Sequence, residues 1–281
     1  MKLIFLTLPL IQEILRSAID IVDLDGLLPP LSVIDQEKHK PPSLSLDCNQ
    51  PKFHWVFRNI DYKKWDSASG CQMLWISGPP ECNISQISSY VVDQEKNRAE
   101  KSRTLKREHL VLFFFYSSEI TKGSVAVYTI LNQIVHCSPM EKRIPIIQRF
   151  LHSLLEQAFK KEEGCSWKQR GFKEEDSPHE NIKRLLNASV DELWAALRAV
   201  LSCEQDRELS IIVDGLEHIE HQRDKFIGGV RSFIEHLRQR TPKIKILLTS
   251  RPLVEIKELF NGLPSIEHDR ERKGPSVPHV L

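Results

Sequence analysis

Short apolar runs alternate along the chain with segments whose apolar residues recur at helical spacing. The apolar runs predict buried strands, and they lie within Gln72–Ser85, His109–Tyr116, Glu208–Glu217 and Lys245–Pro252. The helical segments are Ile84–Val92, Val125–Val135, Ile144–Phe159 and Val190–Leu201. Strands that alternate with helices predict an α/β fold with a parallel sheet and right-handed crossovers.

Two of the predicted strands carry further expectations. The stretch 109–116 is continuously apolar and rich in aromatic and β-branched residues, so it predicts a central strand buried on both faces. Residues 265–268 can start a fifth strand. Between the predicted elements, 95–109 is charged and predicts a solvated helix end and loop, and 160–179 predicts a charged insertion.

Composition divides the chain into four parts. Residues 1–28 have one apolar face at helical spacing and predict an amphipathic helix, with a targeting segment or a gene-model artefact as alternatives. Their apolar run is too short to span a bilayer. Residues 29–50 contain four prolines and predict an irregular linker. The α/β domain follows at 51–268, and 269–281 is a polar tail.

The segment after the first strand has part of a phosphate-loop pattern. In G-x-x-x-x-G-K-[ST], backbone N–H groups wrap the phosphates, the lysine reaches them and the hydroxyl binds Mg²⁺. Gly78 and Ser85 fit, but Asn83 replaces the second glycine and Ile84 the lysine. Loss of the lysine costs about 2–3 kcal/mol of binding, or roughly fiftyfold in affinity. The candidate nucleotide-binding residues are Gly78, Pro79, Pro80, Glu81, Cys82, Asn83, Ile84 and Ser85.

Polar groups at the ends of two later strands extend this candidate site. Asp214 ends an apolar run and, with Ser85, is the predicted Mg²⁺ ligand; an aspartate that caps a turn is the alternative. Arg251 follows the next strand and can point at a γ-phosphate or pair with a surface carboxylate. Ligands of open α/β sheets bind at such strand ends.

The ordered set of motifs resembles the NACHT group of STAND-type P-loop NTPases, especially the nephrocystin-type N-terminal domain of fungal signalling proteins. Besides the loop, the resemblance rests on five stretches and covers roughly 51–268. These are Trp55, Asp61–Trp65 before the loop strand, Phe113–Tyr116 as the second strand, Asp214–His218 as Walker B, and Thr249–Pro252 as the sensor strand.

The resemblance implies ATP or GTP with Mg²⁺ as a weakly bound or lost cofactor. By this resemblance, Glu217 stands where the family usually has Asp, and His218 stands where many members have a catalytic Glu and others have His. A neutral imidazole is a poorer base for activating water, so slow or absent hydrolysis is expected. It also implies a cytoplasmic signalling role with protein partners or full-length relatives. Relatives continue into winged-helix and repeat regions, and no repeat period is visible here, so a truncated domain is expected.

The charge balance and the cysteines bear on which functions and which cellular compartment are expected. The chain has 39 Lys and Arg against 38 Asp and Glu, which gives no electrostatic basis for binding nucleic acid. Its six cysteines are scattered without a zinc-like spacing, so reduced cytosolic thiols are predicted, with a disulfide framework as the alternative.

These observations predict a pseudo-NTPase to which no catalytic residue is assigned. The leading hypothesis is a non-catalytic scaffold or regulator. The first alternative is a slow ATP- or GTP-dependent switch. The second is a remnant that does not fold stably, because the predicted sheet has no clear fifth strand and no downstream helical domain.

Overall fold

The structure is a computed structural model of the 281-residue chain, and it describes residues 36–42, 53–104, 108–160, 186–202, 207–238 and 243–268. The predicted N-terminal helix (1–28), residues 161–179 of the charged insertion and the tail (269–281) lie outside the described residues.

Five parallel strands form one sheet in the order β2-β3-β4-β1-β5. The predicted α/β fold is therefore confirmed, and so is the fifth strand, which pairs with β1 at one edge. The strands are β1 (Gln72–Ser77), β2 (Glu108–Phe115), β3 (Arg207–Asp214), β4 (Lys243–Ser250) and β5 (Ser265–Glu267).

Nine α-helices accompany the sheet within the described residues. Buried side chains from α2, α3 and α4 share a core with one face of the sheet, and those from α5 to α8 share a larger core with the other. The helices are α1 (Gln36–His39), α2 (His54–Phe57), α3 (Ile60–Asp66), α4 (Ile84–Thr104), α5 (Gly123–Cys137), α6 (Met140–Lys160), α7 (Val190–Leu201), α8 (Arg223–Arg238) and α9 (Val254–Leu259). No helix among the described residues is both long and apolar enough to cross a membrane.

Strand β2 is an edge strand, so the prediction of a central strand is wrong. It is buried on both faces as predicted, because Leu112 and Phe114 join one core and Phe113 and Phe115 join the other. Its open edge is closed by glutamine side chains rather than by another strand. Gln133 of α5 accepts from Phe113 N at 2.9 Å and donates to Phe113 O at 2.9 Å. Gln36 of α1 accepts from Phe115 N at 2.6 Å.

Residues 36–42 belong to the predicted irregular linker, yet they include α1 and pack on the domain. Gln36 is 3% exposed. The remaining linker residues, 29–35 and 43–50, lie outside the described part of the chain.

The prediction of a solvated helix end in 95–109 holds for Asn97, Glu100 and Lys101, which are exposed, but not for Glu95. Helix α4 continues to Thr104, and Glu95 is only 1% exposed. Its carboxylate accepts from Ser210 Oγ at 2.5 Å, Arg98 Nη1 at 2.6 Å and Lys245 Nζ at 3.1 Å. Burial by itself raises the pKa of Glu95, but bonds from His109 and Ser210 and the charges of Lys245 and Arg98 outweigh it and lower the pKa to about 2. This buried charge network ties α4 to β2, β3 and β4.

Candidate functional site

The carboxyl ends of β1, β3 and β4 meet the start of α4 around one cavity. Its volume is about 240 Å³. Most of the predicted site residues line it, whereas Glu81 and Cys82 are not among the lining residues. The lining comprises Gly78, Pro79, Pro80, Asn83, Ile84, Ser85, Gln86, Asp214, Gly215, Glu217, His218, Ser250 and Arg251.

The loop after β1 turns tightly, and its side chains differ from those of the phosphate-loop motif. Pro80–Cys82 form a 3₁₀ turn, and Asn83 adopts the left-handed conformation with φ 50° and ψ 48°, as predicted for this glycine position. Pro79 and Pro80 carry no backbone N–H, so two positions of the loop cannot donate to a phosphate.

Ile84 stands at the lysine position of the motif, and its side chain is apolar. It is 9% exposed, and its Cδ1 lies 3.2 Å from where a Cβ on Gly78 would stand. His268 Cβ is 3.1 Å from the same point, and its ring packs edge-on against Trp55 at 4.9 Å. Gly78 therefore lies under an apolar cover made by Ile84 and His268.

Asp214 is buried at the end of β3, where hydroxyl groups surround its carboxylate. Ser88 Oγ donates to Asp214 Oδ1 at 2.7 Å, and Thr249 Oγ1 donates to the same oxygen. The Ser85 hydroxyl also acts to lower the pKa of this carboxyl group. Since Ser88 lies on α4 and Thr249 on β4, the two bonds fasten three elements together. We call Asp214, Ser88 and Thr249 the hydroxyl clamp.

Burial has the largest effect on the pKa of Asp214. It raises the pKa of the carboxyl above its ordinary value of 3.8, and the three hydroxyls offset only part of that rise. The negative charge of Glu217 raises the pKa further.

Glu217 and Arg251 pair with each other across the mouth of the cavity. Arg251 Nε lies 3.5 Å from Glu217 Oε1, and Arg251 N donates to Glu217 Oε2 at 3.1 Å. Of the two roles considered for Arg251, the structure shows the pair with a carboxylate. His218 Nε2 lies 4.0 Å from Glu217 Oε1. The acidic and basic side chains of the cavity thus engage one another.

These residues do not fit a magnesium-bound triphosphate in this arrangement. The cavity is lined by the carboxylates of Asp214 and Glu217 and by one permanent cation, Arg251, which is already paired. Its volume is below the roughly 300–1,000 Å³ of typical ligand pockets. Among the described residues, no group of three or more His, Cys, Asp or Glu side chains is placed to hold a metal ion.

The sequence prediction missed Ser88 and the role of Thr249. Ser88 lies one helical turn after Ser85, and that spacing was the available signal because it puts both hydroxyls on one face of α4. Thr249 precedes Ser250 at the tip of β4, where its side chain points toward the neighbouring β3 carboxylate.

One family profile matches the chain. The profile described as nephrocystin 3, N-terminal matches residues 52–144 and 140–251, which is well over half of the 281 residues. No curated protein and no solved structure matches the chain significantly. The match begins just before α2 and ends after β4, so it includes the loop, Asp214 and Arg251. The chain therefore belongs to the nephrocystin 3 N-terminal domain family.

Proposed function

We propose that this chain is a NACHT-like module that works through protein contacts in signalling and does not hydrolyse nucleotide. The observation that carries the proposal is the hydroxyl clamp: Asp214, the residue expected to hold Mg²⁺, is engaged by side chains of its own chain. The clamp joins α4, β3 and β4 without a ligand. Such a module keeps the same shape without nucleotide, so its surface is always available to a protein partner.

The electrostatics of the cavity support the same proposal. A triphosphate brings several negative charges, and the cavity lining includes two carboxylates, Asp214 and Glu217, and one arginine, Arg251, which is paired with Glu217. The N-terminus of α4 is then the main source of attraction, and its partial charge alone is a weak anion site. Protein partners or full-length NACHT relatives are the ligands that we propose instead.

A slow ATP- or GTP-dependent switch is the second candidate. It is favoured by the gathering of Ser85, Asp214 and Arg251 around one cavity at the carboxyl edge of the sheet, where ligands of such folds bind. In this case nucleotide would have to displace Arg251 from Glu217. A remnant that cannot fold is less favoured, because β5 is present and both faces of the sheet carry a core.

Restoring the loop tests the proposal. The triple variant Glu81→Gly, Asn83→Gly, Ile84→Lys supplies the missing glycine and lysine and removes the Glu81 carboxylate, and Glu81→Gly alone is its matched control. In titrations with a fluorescent ATP analogue and Mg²⁺, the triple variant should bind saturably, while the control and the wild type should not bind up to millimolar concentrations. Saturable Mg²⁺-dependent binding by the wild type would favour the switch. A folded triple variant that binds nothing would show that the loop has been aligned wrongly.

A further inference from the structure

Residues 36–42, which we call the strap, are attached to the domain by specific polar contacts. Gln36 Oε1 accepts from Phe115 N at the open edge of β2. On α4, Glu37 pairs with Lys96 and Lys40 pairs with Asp93. Ser89 Oγ donates to Pro41 O at 2.6 Å. The strap therefore contacts the edge of β2 and one face of α4.

The receiving surface differs from the rest of the β2 edge. At Phe113 the edge is closed by Gln133 of α5, a helix that is part of the main core. At Phe115 the amide is closed by Gln36 of the strap. An unpaired strand edge is a ready site for another chain, so the strap covers the position where the sheet can accept a peptide.

One of the two ion pairs of the strap lies in solvent, whereas the Lys40 and Asp93 side chains of the other are 12% and 31% exposed. The Lys96 and Glu37 side chains are 36% and 60% exposed, and exposed ion pairs hold weakly and are screened by salt. Gln36 Nε2 is buried and has no hydrogen-bond partner among the described residues. Displacement of the strap by a partner would release this donor to water, where it can be hydrated.

We propose that Phe115, Ser89, Asp93 and Lys96 form a peptide-docking surface and that the strap is its own-chain occupant, displaceable by a partner peptide of the same chemistry. That chemistry is an amide side chain, an acidic residue next to it and a lysine four positions after the amide, followed by proline. The inference rests on the proposed function in that it names a surface for the protein contacts. It is independent of nucleotide, so the loop titration and the experiments below can fail separately.

The surface lies next to the hydroxyl clamp. Phe115 is the register partner of Asp214 in the β2–β3 pair, and Ser89 directly follows Ser88 on α4. Displacement of the strap therefore exposes Ser89 on one side of α4, in the same helical turn whose Ser88 bonds to Asp214 on the other side.

Amide hydrogen exchange on the full chain tests the first step. Gln36→Leu removes the acceptor for Phe115 N, and Gln133→Leu removes the acceptor for Phe113 N as a matched control. Gln36→Leu should raise exchange at Phe115 tenfold or more and leave Phe113 unchanged, and the control should do the reverse. Unchanged exchange at Phe115 in a variant that melts cooperatively would overturn the docking of the strap.

Displacement is tested with Lys40→Glu, which places two carboxylates opposite each other at Asp93. A synthetic peptide of residues 36–42 should bind this variant saturably and restore protection of Phe115, whereas the same peptide with glutamate at position 40 should not. Adding Asp93→Lys to Lys40→Glu should restore protection without peptide. A concentration-dependent dimer in which Phe115 is protected would support the surface, with the strap exchanged between copies. Failure of both the peptide and the charge reversal to restore protection would overturn the proposal.

Discussion

Replacing Asp214 separates a structural clamp from a metal site. Asp214→Ala removes the acceptor of two hydroxyls, those of Ser88 and Thr249, and both residues are 0% exposed. Each buried hydroxyl left without an acceptor costs about 1–3 kcal/mol. The Ser88 hydroxyl can turn to donate to Ile84 O, 3.3 Å away, so its share falls at the low end. We expect Asp214→Ala to lower the free energy of unfolding by about 2–4 kcal/mol.

Asp214→Asn should behave differently, because it keeps the size and an acceptor oxygen while removing the charge. Burial raises the pKa of Asp214, so the folded state holds its proton more tightly than the unfolded state does. Wild-type stability relative to the Asn variant should therefore fall as the pH rises from the ordinary value of 3.8 through the raised pKa. At pH 7 the Asn variant should be within about 1 kcal/mol of the wild type or more stable.

Urea unfolding followed by circular dichroism at several pH values between 4 and 8 measures these differences. The reasoning fails if Asp214→Asn destabilises the protein as much as Asp214→Ala at pH 7. It also fails if the difference between the wild type and the Asn variant does not change with pH.

Two other substitutions probe the packing of α4 and α8. The pKa of Glu95 falls from 4.5 to about 2, which corresponds to about 3 kcal/mol of stability, present above pH 4.5 and lost as the pH falls toward 2. Glu95→Gln should cost about this much at pH 7 in urea unfolding and much less near pH 2; an equal cost at both values would contradict the network. At Gly229, an added Cβ would lie 2.4 Å from Trp194 Cδ1, so Gly229→Ala should destabilise by about 1–3 kcal/mol. Gly228→Ala is its control, since nothing lies within 4 Å, and it should raise the melting temperature slightly. Equal shifts for the two glycines would be inconsistent with this packing.

The helices and strands could be predicted because the apolar pattern that indicates each of them lies within its own segment of the sequence. The helix predicted at Val190–Leu201 has those bounds, since its apolar period is regular and Ser189 and Glu192 form a capping box. Strand order has no such local signal. The run at 109–116 is as apolar as a central strand because helices cover both faces, and only the pairing shows that it lies at the edge.

The buried charges were missed because their partners are distant in sequence. Glu95 lies in a charged stretch that is typical of a solvated surface, while Ser210 and Lys245 are 115 and 150 residues away. The site was predicted in outline, because Gly78, Ser85 and Asp214 each follow or end a strand and parallel strands bring such ends together. What the side chains bond to there depends on their rotamers and could not be read from the motif.

Nucleotide binding by the wild-type protein tests the central claim most directly. Direct titration with ATP and with GTP to millimolar concentration, with and without Mg²⁺, should give no saturable signal. The protein should melt cooperatively, and nucleotide should leave its melting temperature unchanged. Saturable, Mg²⁺-dependent binding that is abolished in Asp214→Asn would contradict the claim and make Asp214 a metal ligand.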